Sequence, residues 1–128
     1  MVVALAWFPA SEYQDALTRW PELATEGAAK GGKDHAAYNR ALQSTLQQYA
    51  DADDTGALRL FIAPIMIGPF LAWCRDKDRD PANDRAGYSA DLARRGDPSL
   101  IGWPPARNQR CWCGSGRKYK QCCGTVRS

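Results

Sequence analysis

Acid is missing from the end of this chain. Between Ser99 and Ser128 there is no Asp or Glu, while Arg107, Arg110, Arg117, Lys118, Lys120 and Arg127 place six positive charges there. These are six of 17 basic residues, so positions 1–98 hold 11 basic against 14 acidic groups. A net charge of +3 conceals a mildly acidic body with a basic tip. Histidine is almost absent, His35 being the one copy. No Cys–His pair, G-x-S-x-G turn or phosphate-binding glycine loop is present, which removes the common nucleophilic and nucleotide-dependent enzyme classes. Long apolar runs are missing too. The longest, Leu60 to Cys74, is interrupted by Pro64, Gly68 and Pro69, and falls short of the ~20 residues of a spanning helix. Met1 to Ala10 is apolar but carries no basic residue, and Glu12 follows, so no secretory signal is expected. The cytoplasm is the expected location. In that reducing compartment clustered cysteines bind metal more often than they pair as disulfides.

What is present suits a packed soluble protein. The 128 residues are 45% hydrophobic and 24% charged, enough for one compact domain and a small appendage. Five Trp and five Tyr predict a real core.

Met1 to Phe8 is rich in β-branched and aromatic residues without clean alternation, the pattern of a strand covered on both faces. Pro9 ends it. Ser11 with Gln14 resembles a capping box opening a helix from Glu12 to about Trp20, with Tyr13, Leu17 and Trp20 inward and Pro21 as the stop. Leu23 to Lys33 reads as a glycine-containing loop. Asp34 caps a second helix whose stripe is Tyr38, Leu42, Leu46 and Tyr49, leaving Arg40, Gln43, Gln47 and Gln48 on the wet side. Leu58 to Ile65 is a second strand. A third helix runs from Pro69 to about Arg75 with Phe70, Trp73 and Cys74 inward. Asn83 or Asp84 caps a fourth, with Tyr88 and Leu92 inward and Gly96 closing it. The repeated strand–Pro–helix order suggests two parallel neighbouring strands. Pro98, Pro104 and Pro105 mark an extended connector in which Leu100, Ile101 and Trp103 need cover. The expected class is α+β or α/β: a mostly helical body over 1–98 with two short strands, in the order strand-helix-helix-strand-helix-helix. A connector over 99–108 and a cysteine-rich hairpin over 109–125 follow it.

The densest chemistry lies in that hairpin. Cys111, Cys113, Cys122 and Cys123 fall within thirteen residues. Four thiols at this density suit a tetrahedral soft-ligand metal site, with zinc the best fit. Gly114 and Gly116 supply positive φ for the turn between the pairs. Cys74 reads as a buried packing thiol, His35 as an exposed residue at a helix start, and Asp51, Asp53 and Asp54 as turn chemistry.

Residues 107 to 124, Arg-Asn-Gln-Arg-Cys-Trp-Cys-Gly-Ser-Gly-Arg-Lys-Tyr-Lys-Gln-Cys-Cys-Gly, resemble the SEC-C motif, the zinc-binding segment at the C-terminus of the SecA translocation ATPase. Cys123 stands where SecA usually has histidine. The preceding body is similar to SEC-C-tailed proteins of actinobacteria. The resemblance implies Cys111, Cys113, Cys122 and Cys123 as ligands to one structural Zn²⁺, and a module that contacts other proteins. An all-cysteine site is closed to substrate, so a non-enzymatic interaction protein is expected. Its docking face would be Arg117, Lys118, Tyr119 and Lys120 with Trp112, set against an acidic protein surface. The alternative is binding of RNA, DNA or the ribosome, with the basic groups on phosphates and the aromatics on bases.

Overall fold

The computed structural model describes residues 1–24 and 34–125. Positions 25–33 of the expected loop, and Arg127, lie outside the described residues. The fold is α+β, with four α-helices around a three-stranded sheet among the described residues. Strand β1 (Val2–Trp7) pairs in parallel with β2 (Arg59–Pro64), from Val2 opposite Arg59 to Trp7 opposite Pro64. The sheet has one strand more than expected. Ile101–Trp103 forms β3, antiparallel to β2, with Leu60 opposite Trp103. Its three residues sit between Pro98 and Pro104, which flank the pairing instead of interrupting it.

The pleat sends alternate side chains to opposite faces, and each face has its own core. Ala4, Ala6 and Ala63 meet Phe8, Tyr13, Leu17 and Trp20 together with Phe70, Cys74, Tyr88 and Leu92. Apart from Phe8 and Trp20, which flank the first of them, those helical residues come from α1 (Ala10–Arg19), α3 (Ile67–Lys77) and α4 (Arg85–Arg94). On the other face Val3, Leu5, Trp7, Leu60 and Ile62 meet Leu46 of α2 (His35–Ala52), Trp103 and the cysteine-bearing segment. The tip and α2 therefore cover that sheet face together.

Helix boundaries shift for identifiable reasons. The expected capping box at Ser11 does not form. Pro9, at φ −61°, holds the cap position, and its carbonyl accepts the Glu12 N–H at 2.9 Å, so the chain turns before Ser11. The Glu12 carboxylate instead reaches across to accept the Ile67 N–H at 2.7 Å. That bond satisfies an open donor of α3, whose start precedes Pro69 by two residues. Asp34 caps α2 as expected, accepting from the Ala36 N–H at 3.0 Å. Asp84 stands at the start of α4 but makes no side-chain cap bond; its carboxylate pairs with Arg79 at 3.0 Å. Gly96 takes φ +61° just past α4, the left-handed position that glycine fills without strain.

One assignment on α2 reverses. Gln43, expected on the wet side, is 1% exposed. Tyr49, expected in the apolar stripe, is exposed. The inward face runs through His35, Asn39, Gln43 and Leu46, because three indole N–H groups on that side of the sheet need acceptors.

Candidate metal centre

The tip is a tight hairpin. Arg110 and Lys118 bridge antiparallel, and the Cys111 N–H donates to the Arg117 carbonyl at 2.8 Å. Gly114 and Gly116 turn the chain between them at φ +85° and +82°, a region costly for side-chain-bearing residues. Tyr119–Gln121 and Cys123–Thr125 form short 3₁₀ turns. Between them Cys122 takes φ −129° and ψ −115°, which redirects one of the two adjacent thiols.

This geometry brings together the four cysteines singled out by sequence. The sulfurs of Cys111, Cys113, Cys122 and Cys123 all lie within 4.8 Å of one another. The Cys113 and Cys122 sulfurs are 3.5 Å apart. A tetrahedral site with metal–sulfur bonds of about 2.3 Å needs sulfurs about 3.8 Å apart, so only slight adjustment would seat an ion. A disulfide needs about 2.05 Å, and all five cysteines are free thiols. Cys111 and Cys123 are buried, while Cys113 and Cys122 are half-buried.

Protonation follows burial and hydrogen bonding. Burial pushes the Cys111 thiol up, partly offset by the Cys113 and Cys123 backbone N–H groups. Burial also pushes Cys123 far up, helped by the neighbouring thiols. At Cys122 burial is outweighed by hydrogen bonds from Ser115 and the other thiols, which hold it below the ordinary value; Ser115 Oγ lies 3.2 Å from its sulfur. A pocket that resists several thiolates on its own is one a cation would reverse, since coordination takes the thiolate outright. The donor set fits a borderline-soft divalent ion.

The aromatic residues expected on the docking face are elsewhere. Trp112 is 5% exposed and Tyr119 6%. The Trp112 ring meets Trp7 edge-on at 5.4 Å. Its Nε1–H donates to the Gln43 carbonyl oxygen at 3.0 Å. That oxygen also accepts the Trp103 Nε1–H at 3.0 Å, and the Gln43 amide donates to the Tyr119 hydroxyl at 2.7 Å. A buried indole N–H must find an acceptor, so these rings turn inward. Gln43 and Asn39, whose Oδ1 accepts the Trp7 Nε1–H at 2.8 Å, escaped the reading by periodicity. The available signal was the i, i+4, i+8 spacing of His35, Asn39 and Gln43 in a chain rich in tryptophan. His35 is not a free helix end: its Nε2 lies 2.9 Å from the Phe8 carbonyl and its ring packs on Trp7, Tyr13 and Tyr38. Cys74 is buried in the opposite core, and burial pushes its thiol up.

Arg117, Lys118 and Lys120 remain exposed, as do Arg107 and Arg110. The Arg117 guanidinium folds onto the Gln121 carbonyl. A cleft of ≈490 Å³ separates the start of α2 from the cysteine cluster; His35, Arg40, Cys113, Ser115 and Arg117 line it. Among the described residues no helix is long and apolar enough to cross a membrane.

The fold and site thus define a small α+β protein with a four-cysteine centre built into its core. Residues 107–125 match the SEC-C motif. The chain is similar to the protein translocase subunit SecA of Prosthecochloris aestuarii, 44% identical over 50 residues, which is 39% of this chain and 4% of that protein. SecA of Campylobacter fetus subsp. fetus is 41% identical over 49 residues, 38% of this chain and 5% of the relative. SecA of Nitratiruptor sp. is 57% identical over 28 residues, 22% and 3% respectively. The chain thus spans about a twentieth or less of these relatives' length. No solved structure matches it.

Proposed function

We propose that the protein is a zinc-binding SEC-C adaptor whose metal is structural and whose basic rim docks on an acidic protein surface. The observation that carries the metal reading is the convergence of four cysteine sulfurs within 4.8 Å. Four thiolates fill a tetrahedral shell and leave no position for substrate, so the centre holds the tip together and does no chemistry. Zinc would be held by Cys111, Cys113, Cys122 and Cys123. Lys118, Lys120, Arg107 and Arg110 lie around it as exposed charges, and steer association with an acidic partner.

Nucleic-acid binding is the weaker reading. Sequence-tolerant binding of single strands draws much of its strength from exposed aromatic platforms. Trp112 and Tyr119 are buried here, which leaves only phosphate contacts. The experiment is a pull-down with the zinc-loaded chain beside a Lys118→Glu, Lys120→Glu variant, with RNA binding measured at low salt in parallel. A protein captured by the wild type and lost by the variant supports the adaptor. RNA affinity that falls steeply with salt, with no protein captured, sinks it.

A further inference from the structure

We propose that Gln43 is a positioning residue for the metal centre, a buried amide through which the body sets the geometry of both cysteine pairs. The inference rests on the metal-binding reading above and adds a residue 68 positions before Cys111 that neither its position nor the SEC-C segment indicates.

The geometry is specific. An amide carbonyl has two lone pairs, and an amide nitrogen has two N–H groups. Both Gln43 lone pairs are used, one by Trp103 and one by Trp112, each at 3.0 Å. An indole N–H only donates, so the oxygen must face both rings and the nitrogen must face Tyr119, which it meets at 2.7 Å. The amide orientation is therefore set by chemistry.

Each of the two protein partners in the tip controls one cysteine pair. Trp112 lies between Cys111 and Cys113 in sequence. Tyr119 precedes the second pair, and its carbonyl accepts the Cys122 N–H at 3.0 Å. A methyl added at Gly124 would lie 2.6 Å from that same carbonyl, so this backbone has no slack. One buried amide thus fixes both halves of the ligand set at once, while Trp103 ties the same amide to β3. The cysteine hairpin is held by its own ladder bonds, and this amide, beside the Trp7–Trp112 packing, fixes its rotation against the body.

The test is zinc affinity of the full chain by competition with a chromogenic chelator, for wild type, Gln43→Leu, Gln43→Glu and Leu92→Ala. Loss of a group hydrogen-bonded to a ligand typically costs about 10–100-fold in metal affinity, and Gln43 acts one residue further out. Gln43→Leu is expected to lose about 10-fold, the lower end of that range. Gln43→Glu keeps an acceptor for both indoles and recovers most of the affinity. Leu92→Ala creates a cavity in the opposite core and leaves affinity within about twofold of wild type. The cobalt-loaded protein adds a second reading: the d–d bands shift in Gln43→Leu and not in Leu92→Ala. If Gln43→Leu does not fold, Trp112→Phe, which keeps a smaller aromatic ring against Trp7 and removes the N–H, is expected to lose a few-fold. Wild-type zinc binding with Gln43→Leu or Trp112→Phe within twofold overturns the role of Gln43 alone. Equal loss in Leu92→Ala does the same. A wild-type chain that takes up no zinc overturns the metal reading together with this inference.

Discussion

Replacing Trp112 with alanine separates a docking aromatic from a core aromatic. The ring is 5% exposed, meets Trp7 at 5.4 Å and donates to Gln43. Truncating a buried tryptophan costs about 3–5 kcal/mol, because the site collapses only partly around the hole. The lost edge-to-face contact and hydrogen bond are included in that figure. Domains of this size are stable by about 5–15 kcal/mol, so the loss is a large share. For 128 residues, one kcal/mol moves Tm by about 3–6 °C. Trp112→Ala is therefore expected to melt about 10–25 °C below wild type, read by far-ultraviolet circular dichroism with zinc in both samples. An exposed interaction residue would change stability by no more than about 0.5 kcal/mol. A Tm within about 3 °C of wild type would refute the placement of Trp112 in the core.

Three further outcomes follow from single contacts. Glu12→Ala removes the side-chain acceptor for the Ile67 N–H and is expected to cost ~1 kcal/mol, as other helix-cap losses do, seen as a lower urea midpoint with unchanged slope. Asp53 is held below the ordinary carboxylate range, chiefly by the Leu58 N–H and also by Thr55. Its folded pKa is depressed, so its contribution is present above the unfolded value and is lost as pH falls through the folded one; Asp53→Asn should flatten that part of the acid-unfolding curve. Cys74 is buried and pushed up, so with zinc bound it should stay silent to a thiol reagent, and all five cysteines should react once denaturant and chelator are added together.

Features encoded locally could be read from the sequence. Asp34 before an apolar stripe became the α2 cap. The apolar run from Leu58 became β2, parallel to β1 as the repeated strand–Pro–helix order suggested. Gly96, Gly114 and Gly116 took positive φ where turns were expected. The four cysteines converged because their spacing permits little else. Features decided by tertiary context could not be read in this way. Three residues between prolines become β3 because β2 offers an open edge. Ser11 loses its cap role because Pro9 turns the chain two residues sooner. Gln43 looks solvated by helical period alone, and its burial depends on Trp103 and Trp112, 60 and 69 positions away. The docking face lost Trp112 and Tyr119 for the same reason. Composition announced a core rich in aromatic rings, but not that Trp112 and Tyr119 would belong to it or that α2 would supply their hydrogen-bond partners.

The common root of these readings is a closed four-sulfur site that joins the tip to the body. X-ray absorption at the zinc edge on the zinc-loaded full chain measures that shell. The expected result is four sulfur neighbours at about 2.3 Å with no nitrogen or oxygen. A mixed shell, or a coordinated water, would mean an open site, and with it the structural role of the metal would fall.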